Sequence, residues 1–313
     1  MTGPHDGLVI GVDAGGTTTI AWIGELGGET SDTPLGKGQA GPGNPRSIGF
    51  THATQAINAA ITAAFEHANL TAAPVVSVCL SVAGAGRPKE QEQLKSWAQS
   101  QGFADRVTVT DDAEPILAAA SKDSIGIALI SGTGSLALGR NGEGLVDRVG
   151  GWGYLFGDEG SGYAIAMAGL RAAAQAADGR GENTLLLNGF MERFGVRTPE
   201  GLIESVYGAA LSRQQLAECC TVVFQAAPDD HTAREILNTA GTDLSEMVTT
   251  LAQKLGFETS EFCLGIAGGV LLHQPTFRLD VIGKIGIGSE CVVDVPCPVA
   301  GALVIARRSR VEN

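Results

Sequence analysis

The sequence predicts an α/β protein with two domains, and three observations lead to this prediction. The chain has 313 residues, about twice the length of a typical single domain. Apolar, β-rich runs alternate with segments whose apolar residues recur at helical spacing, which is the pattern of an α/β layer fold. A unit made of a buried strand, a Gly/Thr turn and a returning strand occurs twice. We therefore expect two similar domains, each with one glycine turn.

The composition narrows the classes of partner. Hydrophobic residues make up 44% and charged residues 18% of the chain, which is typical of a packed globular protein. The net charge of −13 would repel nucleic acid and anionic lipid, so we expect neither as a partner. No apolar run is long enough to span a membrane and no targeting signal is evident, so we expect a soluble, cytoplasmic protein. The six cysteines form no CxxC pair, and we expect them to be reduced thiols.

The first domain is predicted to cover residues 1–119. It opens with the apolar run LVIGV, the turn AGGT and a second β-rich run, which together indicate a hairpin. The Gly/Pro-rich stretch GKGQAGPGNPRSIG then predicts a loop, and FTHATQAINAAITAAFEHA predicts a helix. Strand-like VVSVCLSVAG and VTVT alternate with the helical patterns PKEQEQLKSWAQS and AEPILAAAS. This alternation is the βαβ rhythm of an α/β domain.

The second domain is predicted to cover residues 120–297. It repeats the opening pattern as IGIALI, SGTGS and LALGR. Residues 160–257 are predicted to be mostly helical, and a β run from Phe262 to Ala267 follows. The tail PVAGALVIARRSR predicts a closing helix, 298–313, which we assign to the first domain. Its cationic residues lie near its C-terminus, where the helix dipole favours them.

The two glycine turns predict sites for phosphate. Asp13 ends the first buried strand, and the small residues that follow allow backbone N–H groups to converge on phosphate oxygens. A single carboxylate in that place is enough to hold Mg²⁺ through water, although a plain hairpin turn with a capping Asp is the alternative. The second turn, Ser131–Ser135, has hydroxyls and unencumbered amides but lacks the lysine and the helix of a P-loop. The later run LGIAGGVLL leads into a Gly pair, where a flat ring could lie against bare backbone.

These pieces, in this order, resemble the phosphate 1, phosphate 2 and adenosine segments of the sugar kinase, actin and Hsp70 superfamily. The string GGWGYLFGDEGSGYAI, with GPGN and TDDA, resembles the N-acetylglucosamine kinase group of the BadF/BadG/BcrA/BcrD-type ATPase family. The resemblance implies a two-domain actin-like ATPase (ribonuclease H-like) fold with an interdomain cleft for nucleotide and sugar. It also implies ATP and Mg²⁺ as cofactors, a homodimer, and transfer of the γ-phosphate to the 6-hydroxyl of an amino sugar, most directly N-acetylglucosamine.

The resemblance assigns roles to individual residues. The catalytic base falls on Asp112 in TDDA, where a carboxylate accepts the proton of the attacking hydroxyl. The preceding Asp111 leaves the register open, because either residue could be the base and Asp111 could instead cap a helix. Asp13 is the expected Mg²⁺ residue. The expected ATP-binding residues are Gly15, Gly16, Thr17, Thr18, Ser131, Gly132, Thr133, Gly134, Ser135, Gly268, Gly269 and Val270.

The sugar is expected to contact Asn44 in the GPGN loop, Asp112 and Asp158 in GDEG. Carboxylate and amide contacts to adjacent hydroxyls select sugars, because their loss leaves buried polar groups unpaired. The expected adjoining wall consists of Gly150, Gly151 and Trp152. Glu159 is either a ligand or a capping residue, and the sequence leaves this open.

Three alternatives differ in substrate or in class. The acceptor could be glucosamine or another hexosamine, since the motifs define the ring hydroxyls better than the 2-substituent. An ATPase that energises a partner protein would need cluster-ligating cysteines, and the cysteines here match no iron–sulfur spacing. A sugar sensor without catalysis would bind sugar with no ATP turnover, and such relatives usually add a DNA-binding helix-turn-helix.

Overall fold

The protein was analysed as a computed structural model, which describes residues 7–28, 33–208, 211–258 and 262–308. The chain divides into two compact units. Unit 1 consists of Met1–Ile125 together with Val295–Asn313, and unit 2 is Gly126–Asp294. Unit 1 extends beyond the predicted boundary at residue 119 because the helix that ends at Ala120 packs on the C-terminal helix.

Unit 1 contains a five-stranded sheet with the order β3-β2-β1-β4-β5. The first three strands pair antiparallel, which confirms the predicted hairpin, whereas β1, β4 and β5 run parallel. The strands are β1 Leu8–Ala14, β2 Thr19–Glu25, β3 Gly36–Ala40, β4 Val75–Val82 and β5 Ala104–Thr110. The helices are α1 Pro45–Ile48, α2 Phe50–His67, α3 Pro88–Gln101 and α4 Glu114–Ala120.

The core of unit 1 lies on the face of the sheet that α2 and α3 cover. Alternate residues of the strands point to this face because the side-chain period of a strand is two. Ile10 and Leu80 from the strands pack there with Ile57 and Phe65 from α2 and Leu94 from α3. The apolar spacing that predicted α2 therefore corresponds to its buried stripe.

Unit 2 repeats the sheet of unit 1, with the order β10-β9-β6-β7-β8. As in unit 1, the first three strands along the chain form antiparallel pairs, and the two later strands run parallel to the first strand of the unit. The strands are β6 Gly126–Ser131, β7 Ser135–Arg140, β8 Val146–Gly150, β9 Leu264–Ala267 and β10 Val292–Asp294. The matching topology is the structural form of the repeat seen in the sequence.

A block of helices separates β8 from β9, as the pattern of residues 160–257 predicts. The helices of unit 2 are α5 Gly162–Ala177, α6 Leu186–Phe194, α7 Gly201–Ile203, α8 Arg213–Glu218, α9 Cys220–Ala226, α10 His231–Leu255, α11 Gly269–His273 and α12 Pro275–Ile285. A π-helix, Glu204–Gly208, and a 3₁₀ turn, Ser289–Cys291, complete the unit. Apolar residues of α5, α6 and α10 form one core with β6 and β9.

The C-terminal helix α13, Pro298–Arg308, returns to unit 1. Leu303 and Ala306 pack against Val9 and Cys79 on the face of the sheet opposite α2. Gly301 faces the backbone of Pro115 in α4 so closely that a Cβ at residue 301 would overlap the Pro115 carbonyl. The two helices can pack at this distance only because residue 301 has no side chain.

Among the described residues, no helix has both the length and the apolar character needed to cross a membrane.

Gly301→Ala should destabilise unit 1, because the added methyl group has to displace the Pro115 carbonyl. Overpacking of this kind costs about 1–3 kcal/mol, so the apparent melting temperature should fall by several degrees. Gly283→Ala is the matched control, since a Cβ there meets nothing within 4 Å and Ala is the better helix former by about 1 kcal/mol. Thermal unfolding followed by circular dichroism measures both. A Gly301→Ala protein as stable as the control would contradict the account of α13.

Candidate functional site

In unit 1, the parallel strands bring two carboxylates to one edge of the sheet. Asp13 on β1 is in register with Ser81 on β4, and Ser81 is in register with Thr110 on β5. Asp112 follows Thr110 by two residues, just beyond the end of β5. Because parallel strands end at the same edge of a sheet, Asp13 and Asp112 lie close together.

The carboxyl of Asp13 is electrostatically unusual. It keeps some exposed surface, but burial of most of the group, together with the negative charge of Asp112, raises its pKa from 3.8 to about 7. Two carboxylates in such surroundings repel each other, and a nearby cation would relieve the repulsion. Carboxylate oxygens suit Mg²⁺, which keeps several waters and needs few protein ligands. The residues present therefore fit the ion that the sequence predicted at Asp13.

Asp111 has a local structural role. Its Oδ1 accepts hydrogen bonds from the backbone N–H groups of Ala113 (3.0 Å) and Glu114 (3.1 Å) at the start of α4. Its carbonyl accepts a hydrogen bond from the hydroxyl of Ser81 (3.1 Å). Asp111 is thus the capping residue that the sequence left as one alternative. The assignment of Asp112 as the base stays a prediction, and the capping geometry makes Asp111 the weaker candidate.

The first glycine turn and the GPGN loop are joined by hydrogen bonds. The backbone N–H of Gly15 donates to the carbonyl of Thr18 (2.9 Å), and that of Gly43 donates to the carbonyl of Gly15 (2.9 Å). Asn44 therefore lies next to the turn. Its Oδ1 accepts the backbone N–H of Arg46 (2.9 Å) and caps α1, so its side-chain NH₂ is the group that can donate to a ligand.

In unit 2, the serines of the second turn hold the turn in place. Ser131 and Ser135 are buried, and their hydroxyls donate to the carbonyls of Gly160 (2.8 Å) and Glu159 (2.6 Å). Both hydroxyls were expected to bind phosphate, but they are committed to these carbonyls. The part of the turn that keeps exposed surface is Gly132–Gly134. The role of Glu159 that is visible here is that of a backbone acceptor.

The Gly pair of the third segment packs directly on the second turn. Gly268 has a φ of +92°, and a Cβ there would overlap the carbonyl of Ser131. The Cα of Gly268 lies 3.6 Å from the position that a Cβ on Gly132 would occupy. Only glycine allows this approach of two backbones. Unit 2 therefore brings together the second turn and the predicted adenosine segment, Gly268–Val270.

Asp158 is buried against the second turn and has several partners within unit 2. Its Oδ2 accepts a hydrogen bond from Nη2 of Arg213 at 3.1 Å, and the backbone N–H groups of Ser135 and Gly153 also bond to its carboxylate. Burial raises the pKa of Asp158 above its ordinary value, while Arg213 and the two N–H groups act in the opposite direction. A sugar hydroxyl would have to share this carboxylate with these partners.

Sequence analysis did not single out Arg213. Its guanidinium lies 5.5 Å from the ring centre of Tyr154, and its Nη2 lies 2.5 Å from where a Cβ on Gly134 would stand. The sequence does contain a capping box, Ser212 with Gln215, that marks the start of α8 at Arg213. Nothing in the sequence connects that helix start with the second turn.

The predicted sugar wall has an irregular backbone. Gly150 and Gly151 have φ values of +79° and +70°, which favour glycine. Trp152 is 65% exposed and contacts Phe156, with 6.5 Å between ring centres. It is therefore not a core residue, and its role as a pocket wall stays a prediction.

The family model of the BadF/BadG/BcrA/BcrD ATPases matches residues 10–303. The chain belongs to this family. The match confirms the resemblance noted in the sequence, and use of ATP follows from it. Among the described residues, no group of three or more His, Cys, Asp and Glu side chains could hold a metal, and a Mg²⁺ ion held mostly by water and phosphate needs none.

Curated relatives agree with this membership. The N-acetylmuramic acid/N-acetylglucosamine kinase of Clostridium acetobutylicum is 31% identical over 264 residues, which is 84% of this chain and 85% of the relative. The N-acetyl-D-glucosamine kinase of Dictyostelium discoideum is 31% identical over 97% of this chain and 98% of its own.

Solved structures support the fold. A candidate N-acetylglucosamine kinase from Chromobacterium violaceum superposes with a TM-score of 0.78 at 24% identity, over 97% of this chain and all (100%) of the other. A ROK family glucokinase from Streptomyces griseus, solved with glucose and AMPPNP, gives a TM-score of 0.55 at 18% identity, over 97% and 100% of the two chains. The prediction of a two-domain actin-like α/β fold is confirmed.

Asp13→Asn should change how stability depends on pH. The pKa of Asp13 is raised from 3.8 to about 7 on folding, so the folded protein retains a proton that the unfolded chain has released between these values. The free energy of unfolding of the wild type therefore falls as pH rises through this window. At pH 8 and without Mg²⁺, the free energy of unfolding of Asp13→Asn should exceed that of the wild type by up to about 4 kcal/mol, so the variant should melt at a higher temperature. This difference should shrink toward pH 4.

Asp147→Asn is the control of opposite sign. The hydrogen bond from Lys254 lowers the pKa of Asp147, so the loss of this carboxylate should lower stability slightly. The loss is constant above the ordinary pKa and disappears as pH falls through the lowered one. Melting curves of the three proteins between pH 4 and pH 8 measure both effects. A stability difference between Asp13→Asn and the wild type that does not vary with pH would contradict the raised pKa.

Proposed function

We propose that this protein is an ATP-dependent amino-sugar kinase that transfers the γ-phosphate of ATP to the 6-hydroxyl of N-acetylglucosamine. The observation that carries the proposal is the pair of carboxylates, Asp13 and Asp112, at one sheet edge of unit 1. This edge also carries the glycine turn and the GPGN loop. Membership of an ATPase family, and two curated relatives named for N-acetylglucosamine, support the same function.

Asp112 acts as the general base in this proposal. Its carboxylate accepts the proton of the sugar hydroxyl as the oxygen attacks phosphorus, while positioning and charge neutralisation supply most of the barrier reduction. Asp13 is the residue that would hold Mg²⁺, and the ion would neutralise charge on the phosphates. The close approach of Asp112 to Asp13 keeps the base and the metal residue within one small region.

The nucleotide is bound by backbone groups. The N–H group of Gly16, with the hydroxyls of Thr17 and Thr18, binds phosphate oxygens at the first turn, whereas the N–H of Gly15 closes the turn onto Thr18. Gly132–Gly134 does so at the second turn. The Gly268–Val270 segment provides a flat backbone surface for adenosine. This use of backbone explains why neither turn needs a P-loop helix.

The acceptor is held by polar side chains that match sugar hydroxyls. Asn44 donates its side-chain N–H groups, Asp158 shares its carboxylate, and the residues 150–152 form the adjoining wall. Such contacts favour a polyol, because an acceptor without the hydroxyls leaves buried polar groups unpaired. The second candidate acceptor is N-acetylmuramic acid, because the curated Clostridium acetobutylicum relative is named for both sugars.

A coupled assay of ADP release tests the proposal. The enzyme is given Mg-ATP with N-acetylglucosamine, N-acetylmuramate, N-acetylmannosamine, glucosamine, glucose or no sugar. N-acetylglucosamine should give the highest kcat/KM, and the sample without sugar should give little ADP. ATP hydrolysis at the same rate with and without sugar would overturn the kinase in favour of an ATPase that acts on a partner protein.

Asp112→Asn should lower kcat by about a hundredfold to ten-thousandfold, because the amide keeps the polar shape but cannot accept the proton. Calorimetric binding of sugar and ATP should change little. Asp111→Asn is the matched control, since Asn also caps helices, and it should retain most of the activity. The reverse ranking of the two variants would transfer the role of base to Asp111.

Asn44→Asp should raise the KM for the sugar about tenfold, the effect of one lost hydrogen bond, and leave the KM for ATP nearly unchanged. The substituted carboxylate still caps α1 but lacks N–H donors. Asn44→Ala removes both functions, so a comparison of the two variants separates capping from binding. Steady-state kinetics with each substrate varied provides the measurement. An equal rise in both KM values would contradict the placement of Asn44 at the sugar.

A further inference from the structure

We propose that Arg213 binds the phosphates of ATP at the second glycine turn, and that Asp158 and Tyr154 hold its guanidinium there. The proposal rests on the proposed function in one respect, namely that ATP occupies this turn. It assigns to unit 2 a cationic side chain that binds phosphate, which the glycine motifs themselves do not contain.

Neither glycine turn contributes a cation of its own. The segments AGGTTT and SGTGS contain no Lys or Arg, and the chain as a whole has a net charge of −13. The triphosphate of ATP is strongly anionic, and nucleotide-binding sites commonly add a Lys or Arg to their backbone donors. A cationic side chain at either turn therefore belongs to another segment of the chain.

Arg213 is in contact with the second turn. Its Nη2 lies 2.5 Å from the position that a Cβ on Gly134 would occupy, so any side chain at residue 134 would displace the guanidinium. Gly134 therefore serves two purposes, since it forms the turn and leaves space for the cation. Gly132–Gly134 are partly exposed, so the guanidinium lies beside a part of the turn that a ligand can reach.

The neighbours of Arg213 fix its position and leave one side open. Asp158 holds Nη2 at 3.1 Å, and the ring of Tyr154 lies 5.5 Å from the guanidinium carbon. The side chain of Asp158 is 5% exposed, whereas that of Arg213 is 40% exposed. The anion of this pair is thus enclosed, and the cation is open to solvent. An anion from solvent can therefore approach the cation of this pair.

The guanidinium also has donors that the ion pair does not use. Within the described part of the chain, the guanidinium makes a hydrogen bond to Asp158 through Nη2, and its Nε is buried without a partner. Arginine presents several N–H donors in a planar fork, which matches the geometry of phosphate oxygens. Arg213 can therefore bind a phosphate while its Nη2 stays on Asp158.

Asp158 is a positioning residue in this arrangement. The carboxylate of Asp158 accepts hydrogen bonds from the guanidinium of Arg213 and from the backbone N–H of Ser135, the last residue of the second turn. It therefore ties the cation to the turn through a single rigid group. The backbone of Asp158 has a φ of +60°, an uncommon value for a residue other than glycine. The carboxylate is held in place despite this conformation.

Arg213→Gln should lower the affinity for Mg-ATP by about tenfold to a hundredfold, the usual effect of a lost charged hydrogen bond. The measurement is competition of ATP, ADP, AMP and adenosine against a fluorescent ATP analogue, without sugar. The loss should be largest for ATP, smaller for AMP and absent for adenosine. Arg213→Lys should recover part of the affinity for ATP, because a point charge replaces the fork. Equal losses for all four ligands would overturn the proposal and leave a structural role.

Arg180→Gln is the matched control. Arg180 also pairs with an aspartate, Asp178, at 2.6 Å in unit 2. It follows the far end of α5, whose 16 residues place it about 24 Å from the second turn. This variant should bind all four ligands like the wild type. A loss of ATP affinity as large as that of Arg213→Gln would show a general charge effect and would overturn the proposal.

A double-mutant cycle tests the role of Asp158. Asp158→Asn should lower ATP affinity in the wild-type background but should add little to Arg213→Gln, because both changes release the same group. Unchanged ATP affinity in Asp158→Asn would overturn the positioning role and restrict this residue to the sugar.

Tyr154→Leu is a second test on a partly exposed side chain, and it should lower ATP affinity less than Arg213→Gln does. Circular dichroism verifies that each variant is folded.

These binding measurements separate this inference from the proposed kinase function. A wild-type protein that binds ATP but phosphorylates no sugar would refute the kinase, while the difference between ATP and adenosine in Arg213→Gln would still hold. A working kinase whose ATP affinity is unchanged in Arg213→Gln would refute the role of Arg213 alone. Failure of the wild type to bind ATP would refute both.

Discussion

The repulsion between two carboxylates at one sheet edge is the constraint around which unit 1 is built. The register of β1, β4 and β5 brings Asp13 close to Asp112, and the pKa of Asp13 is raised to about 7 by burial and by that neighbour. Such a pair is unfavourable in the absence of a cation, and the arrangement stays within the fold because the surrounding sheet and α13 stabilise it. Sites of this kind are typical of function rather than of packing.

In unit 2, the glycine turn has a cation as its neighbour. Arg213 adds a positive charge beside Gly134 of the second turn, and Asp158 holds that charge in place. In the proposed function, unit 1 adds the metal residue and the base to its phosphate turn, whereas unit 2 adds a cation and a flat backbone surface to its own. One repeated topology, antiparallel hairpin first and parallel strands afterwards, supports both chemistries. The fold supplies the strand ends, and the residues at those ends decide the function.

The strands, turns and long helices were predictable because their signals are local: period-two apolar runs, glycine turns and the helical spacing of residues 160–257. Contacts between distant segments were not predictable. The hydroxyls of Ser131 and Ser135 were expected to bind phosphate, yet they donate to the carbonyls of Gly160 and Glu159. The choice between Asp111 and Asp112 depended on a capping geometry that coordinates reveal. Arg213 was missed because it meets Gly134 only in three dimensions.

The most direct test of the account is the identity of the product, determined by proton-coupled ³¹P NMR after incubation with Mg-ATP and N-acetylglucosamine. The account predicts one new phosphomonoester signal, coupled to the two protons on C6 of the sugar and formed in equal amount to ADP. Inorganic phosphate as the main product would contradict the kinase. A phosphomonoester coupled to the anomeric proton would contradict the choice of the 6-hydroxyl as acceptor.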